Sequence, residues 1–172
     1  ADNNISVFGD HPWGDLVLSS GNLSVCLLMA QWDKLFPDSN FDVIAHKYFI
    51  DMQEALKKQG IPNNISMFSG LTGMAFVLTY ASHSGERYTK FIKSLNQLIF
   101  DTFDVIIKNI QESSEIGASP FWYDVISGLS GVGRYLLLIS DQEKARKRLI
   151  EILKYCISLV DTIQVRGSSV PG

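Results

Sequence analysis

Asp124 is the side chain best placed to do chemistry. It lies in the run Tyr123-Asp124-Val125-Ile126-Ser127-Gly128-Leu129-Ser130-Gly131, which leads straight into the apolar segment Val132 to Ile139. A carboxylate there sits at the mouth of a helix, where unpaired amides and the positive end of the dipole favour negative charge. Such a group can manage a proton during a reaction, or it can simply cap the helix. The local sequence leaves both roles open.

The same pattern occurs 58 positions earlier as Ser66-Met67-Phe68-Ser69-Gly70-Leu71-Thr72-Gly73, with Ser66 in the place of Asp124. A weaker copy, Ser19-Ser20-Gly21-Asn22-Leu23-Ser24, stands upstream. Repetition at such a period signals an array of similar supersecondary units. Ser69 and Ser127 are expected to be N-caps. Gly70 and Gly73, like Gly128 and Gly131, fall three apart and line one side of a helix start. Lacking side chains there, neighbouring inner helices are expected to approach closely.

Other chemistry-bearing residues form no constellation. His11, His46 and His83 stand apart from any cysteine or carboxylate at a metal-ligand spacing. Cys26 and Cys156 read as two buried free thiols of a reducing compartment, with a disulfide between them the lesser alternative. There is no GxSxG elbow and no phosphate loop. Asp101 and Asp104 form DxxD, but on a long outer helix, where solvation explains them. Trp13, Trp32 and Trp122 read as packing residues.

The elements that must position Asp124 are helical. Apolar spacing predicts helices over 22–36, 41–59, 71–81, 86–110, 129–139 and 141–163. The segments after each Ser-Gly pair are short and apolar nearly all round, and the longer ones have a polar face. The first kind must be buried and the second faces water. Inner and outer helices therefore alternate, as an all-α layered array of hairpins over about 22–59, 71–110 and 129–163. No segment alternates well enough for a sheet. Residues 1–19 and 111–120 read as irregular, and 165–172 as a loop leading elsewhere. Three hairpins cannot close a ring of inner helices, so the chain is expected to be a portion of a longer protein or one chain of a nicked one.

With 172 residues and 46% hydrophobic content, the chain can bury a real core. A net charge of −3 with interspersed signs leaves no nucleic-acid footprint. The basic run Lys144 to Arg148 reads as a solvated helix face. No apolar run reaches a membrane span, and no secretory signal is evident.

The motifs Leu18-Ser19-Ser20-Gly21, Ser66 to Ala75 and Tyr123 to Gly131 followed by Tyr135 to Ile139 resemble the N-terminal half of the lanthionine synthetase C-like family. The resemblance covers about residues 13–163 and is closest to the stand-alone lantibiotic cyclases. It implies an α/α toroid of which residues 1–172 are the N-terminal portion of a single domain. It implies a zinc-dependent enzyme that adds precursor-peptide cysteine thiols to dehydroalanine or dehydrobutyrine, giving thioether rings. Asp124 matches the family's active-site aspartate, which partners a histidine near the zinc. The zinc ligands and that histidine belong to the family's C-terminal half, so no metal ligand is assigned here. The isolated segment is expected neither to bind zinc nor to catalyse. The implied partners are a dehydrated lantibiotic precursor peptide, a dehydratase and an exporter. The implied place is the cytoplasm, peripheral at the inner membrane face. Two rival readings are a non-catalytic relative that binds glutathione or a partner, and a different α/α toroid such as a terpenoid cyclase or glycosidase.

Overall fold

The computed structural model describes residues 13–112, 119–160, 162–165 and 167–171. His11 and the irregular stretch before Trp13 lie outside them. The long helices are α1 (Asn22–Leu35), α2 (Phe41–Gln59), α3 (Leu71–Ala81), α4 (Thr89–Glu112), α6 (Leu129–Leu138) and α7 (Glu143–Ser158). A short helix, α5 (Pro120–Tyr123), precedes Asp124. The chain is all-α in class apart from one hairpin of strands, β1 (Thr162–Val165) and β2 (Ser168–Pro171).

α1, α3 and α6 form an inner row, with α3 packed against both of the others. α2, α4 and α7 pack outside α1, α3 and α6 respectively, and α4 also meets α7. α3 shows why the row is inner. Its residues Met74, Ala75, Val77 and Leu78 are wholly buried. The outer helices bury one stripe each, such as Leu95, Ile99, Phe103 and Ile110 on α4. α2 carries Asp42 in its first turn and Lys57 and Lys58 in its last, matching the helix dipole. Gly60 then stops it, at φ 82°, with its N–H closing on the Leu56 carbonyl at 2.9 Å.

Several expectations need correcting. α4 begins at Thr89 rather than Glu86. The turn before it holds His83, Ser84 and Tyr88 at φ 48°, 58° and 59°, and a left-handed backbone cannot continue a helix. Two contacts stabilise that turn. The His83 imidazole meets Asp33 at 3.1 Å, and the Arg87 guanidinium donates to Asp42 at 2.9 Å. α7 ends at Ser158, and Ile163, expected on its apolar stripe, lies in β1. The tail expected as a loop forms β2, antiparallel to β1 with Val165 opposite Ser168. Ser69 and Ser127 are not the N-caps. Gly70 and Gly128 are, with extended backbone and no side-chain cap bond.

Arg148 also departs from a solvated role. It donates to Asp104 at 2.5 Å and lies over the Phe100 ring at 4.6 Å, tying α7 to α4. Asp101 accepts from Gln97, so the DxxD pair has ordinary surface partners. Trp122 packs against the core, whereas Trp13 is 44% exposed and donates through Nε1 to Asn22 at 3.0 Å. Trp32 packs edge-on against Phe41 with ring centroids 5.2 Å apart.

One buried polar pair joins the inner row to the outer. The Tyr135 hydroxyl on α6 donates to Asn96 Oδ1 on α4 at 2.6 Å, and both residues are buried. Tyr135→Phe strands the Asn96 acceptor in the core. Expected is a loss of roughly 1–3 kcal/mol, read as a lower urea midpoint at unchanged slope. An unchanged midpoint would mean the pair contributes no stability.

Candidate active site at the Ser-Gly pole

The three Ser-Gly loops gather at one end of the inner row. The Leu18 N–H donates to the Phe68 carbonyl at 2.7 Å, stitching the first loop to the second. Met67 of the second loop lies against Gly131 at the start of α6. Each later loop also folds back on its own helix. A β-carbon on Gly73 would stand 2.1 Å from the Met67 carbonyl oxygen, and one on Gly131 would stand 2.3 Å from that of Val125. The expected close neighbour of these glycines was another inner helix. The nearest neighbour of each is instead its own loop backbone.

The two later loops share an internal lock. In the second, Ser66 Oγ accepts the Ser69 N–H at 3.2 Å, and the two hydroxyls meet at 3.0 Å. That contact occupies the Ser69 side chain expected to cap the helix. In the third, Asp124 Oδ1 accepts the Ile126 N–H at 2.6 Å and the Ser127 N–H at 2.7 Å. These amides, that of Ser127 first, hold the carboxyl below the usual carboxylate range. Asp124 is therefore ionised at neutral pH. The Gly128 amide also favours the ionised form, and no side chain among the described residues bonds the carboxylate. A carboxylate held this way is a poor proton donor, but it can orient and stabilise a protonated base brought to it.

An apolar cleft of about 520 Å³ lies beside the second loop, lined by Leu18, Leu27, Leu28, Met67, Phe68 and Phe76. Another, of about 510 Å³, lies at the far end of the inner row. Asp33, Asp42 and His83 line that one, and each is already engaged in the contacts of the α3–α4 turn.

Among the described residues, no group of three His, Cys, Asp or Glu is arranged to hold a metal. Cys26 is buried, donates to the Ala45 carbonyl at 3.5 Å, and has its thiol pushed up to about 12 by burial, so it resists becoming the thiolate a metal needs. Cys156 on α7 is free and half-buried rather than buried. The His46 ring faces the Tyr88 hydroxyl at 2.9 Å. None of these side chains meets Asp124. Among the described residues, no helix is long and apolar enough to cross a membrane.

The inner and outer rows together with the Ser-Gly pole define a class. A family described as lanthionine synthetase C-like protein matches residues 12–171, and the chain belongs to it. The chain is 29% identical over 131 residues to the nisin biosynthesis protein NisC of Lactococcus lactis subsp. lactis, covering 76% of this chain and 30% of that protein. A solved structure, nisin cyclase, superposes with a TM-score of 0.72 at 26% identity, over 90% of this chain and 39% of the other. The fold is an incomplete portion of an α/α toroid. The chain spans only 30% and 39% of the length of these two relatives.

Two stability predictions follow from the pole. Gly131→Ala must displace the Val125 carbonyl, and with it the Asp124 loop, so a loss of about 1–3 kcal/mol is expected. Gly133→Ala meets only Ile152 and Leu149 side chains at 3.6 and 3.7 Å. It should be neutral, or stabilising by up to about 1 kcal/mol. Equal effects in urea melts would refute the distinction. The second concerns pH. Asp124 titrates lower folded than unfolded, so its contribution is complete above about pH 5 and fades as pH falls through the depressed value. Asp124→Ala should therefore be less stable than the parent at pH 7, with the gap narrowing toward pH 2. A gap constant with pH would show that the charge contributes nothing.

Proposed function

We propose that this chain is the N-terminal portion of a lanthionine-forming cyclase acting on a dehydrated lantibiotic precursor peptide. A cysteine thiolate of the peptide attacks the β-carbon of dehydroalanine or dehydrobutyrine. The new C–S bond pushes the alkene electron pair onto the α-carbon as an enolate, and a proton delivered there completes the thioether. Atoms of the peptide are conserved, and only a proton moves from the thiol to the α-carbon. The observation that carries the reading is the ionised Asp124 carboxylate, held by backbone amides alone, at the start of an inner helix in a chain of this family. Its task is to orient and stabilise a histidine supplied from outside this chain during that proton transfer.

The reading includes zinc dependence, with the metal held outside residues 1–172. No ligand set for it lies among the described residues. The apolar cleft beside the second loop supports a substrate with apolar side chains. The proposed setting is cytoplasmic, with a dehydratase and an exporter as companions at the inner membrane face.

Asp124→Asn tests the role in the full-length protein. Asparagine keeps an oxygen for the Ile126 and Ser127 amides but loses the charge. Ring formation on dehydrated peptide, followed by mass spectrometry, should slow by roughly a hundredfold, with zinc content unchanged. Unaltered ring formation would remove the role from Asp124. Thiol binding with no turnover in the parent would favour the non-catalytic relative instead.

A further inference from the structure

The chain contains its own comparison set, because the Ser-Gly loop occurs three times. Three residues before the motif serine stand Val17, Ser66 and Asp124 in successive copies. Two residues after the motif's first glycine stand Leu23, Thr72 and Ser130. Only the third copy combines a carboxylate with a bonded hydroxyl. Ser130 Oγ–H donates to the Tyr123 carbonyl at 2.5 Å, spanning seven residues from α6 back to the end of α5. In the second copy Thr72 Oγ1 is buried with no partner among the described residues, and in the first copy Leu23 brings no hydroxyl to that position.

The Tyr123 carbonyl belongs to the peptide unit that enters Asp124. Fixing that oxygen to α6 constrains the backbone immediately before the carboxylate. The Ile126 and Ser127 amides constrain Oδ1 from the other side. Asp124 is thereby held between two anchors, one on each side of its own α-carbon. The bond does not serve as a helix cap, since Ser130 gives its proton to the carbonyl of the last α5 residue instead of accepting one from a first-turn amide.

We propose that Ser130 is a positioning residue for Asp124. Its hydroxyl ties the Tyr123–Asp124 peptide to α6, so that the carboxylate keeps its amide clamp and its orientation toward a partner. This rests on the reading of Asp124 as the active-site carboxylate.

The test uses the full-length protein with ¹³C-labelled aspartate, following the Asp124 carboxyl by NMR titration alongside ring formation. Ser130→Ala should move the Asp124 midpoint up toward the ordinary carboxylate range. It should also slow turnover by roughly three- to tenfold at little-changed KM, the scale of one lost hydrogen bond. Ser130→Thr keeps the donor and should restore both. Thr72→Ala, at the same place in the second copy, should leave both unmoved. An Asp124 midpoint unaltered by Ser130→Ala overturns the proposal, whatever happens to the rate. If the midpoint moves while the parent protein forms no rings, the positioning role stands and the cyclase reading falls. Should Ser130→Ala fail to fold, Ser130→Cys, a weaker donor of similar shape, should show the same upward movement at smaller amplitude, and no movement there is equally fatal.

Discussion

A carbonyl oxygen about 2 Å from where a β-carbon would stand leaves room for glycine alone. That constraint applies at Gly73 against Met67 and at Gly131 against Val125. It sets how each loop lies on the first turn of its inner helix. Loop position in turn determines where the Leu18–Phe68 bond can form and where Met67 can pack against the next unit. The register of the inner row therefore depends on a backbone contact inside each repeat as well as on side-chain packing between repeats. The apolar faces of α1, α3 and α6 supply the burial energy, but those contacts decide the geometry in which it is gained.

The same loop geometry determines what Asp124 can do. Backbone amides, and no charged side chain among the described residues, dominate its environment. Such a clamp favours the ionised form and needs no buried cation to maintain it. The aspartate suits electrostatic support of a neighbouring base and is unsuited to donating a proton at neutral pH. On the proposed reading the loop supplies one half of a proton-transfer pair, and the base that completes it comes from outside this chain.

Much of this was legible in the residues. The repeated Ser-Gly pattern marked the starts of α1, α3 and α6, and the contrast between all-apolar and one-sided segments separated inner from outer helices. The carboxylate before α6 was legible too, because Asp124 replaces Ser66 in an otherwise matched pattern, and its role stands as a proposal. The rest depended on three-dimensional neighbours. The left-handed residues before α4 include Tyr88, a bulky side chain rarely found in that conformation, and no local signal predicts it. Its ring lies 4.3 Å from that of Phe49 on α2, a contact far apart in sequence. Ile163 fits a helical stripe and an extended strand equally well, so its strand partner Val170 decides the matter. Ser69 looked like a cap because serine often is one, yet the Ser66 hydroxyl three residues away claims it. Ser130 was hidden because a serine in a first helical turn looks unremarkable until its carbonyl partner is visible.

The order of contacts along the inner row has a consequence for how the molecule breathes. α1 and α6 each touch α3, and no comparable packing joins α1 to α6 among the described residues. Coupling therefore passes from neighbour to neighbour, as in a short one-dimensional array. An element with neighbours on both sides opens only when two interfaces yield, whereas a flanking one needs to lose a single interface. Amide exchange in this segment should accordingly be slowest at the middle of α3, around Val77 and Leu78, and should quicken outward in both directions. The Asp124 loop sits on a flanking element. Within this stretch of chain it belongs to the more easily opened side, and its two anchors matter most there.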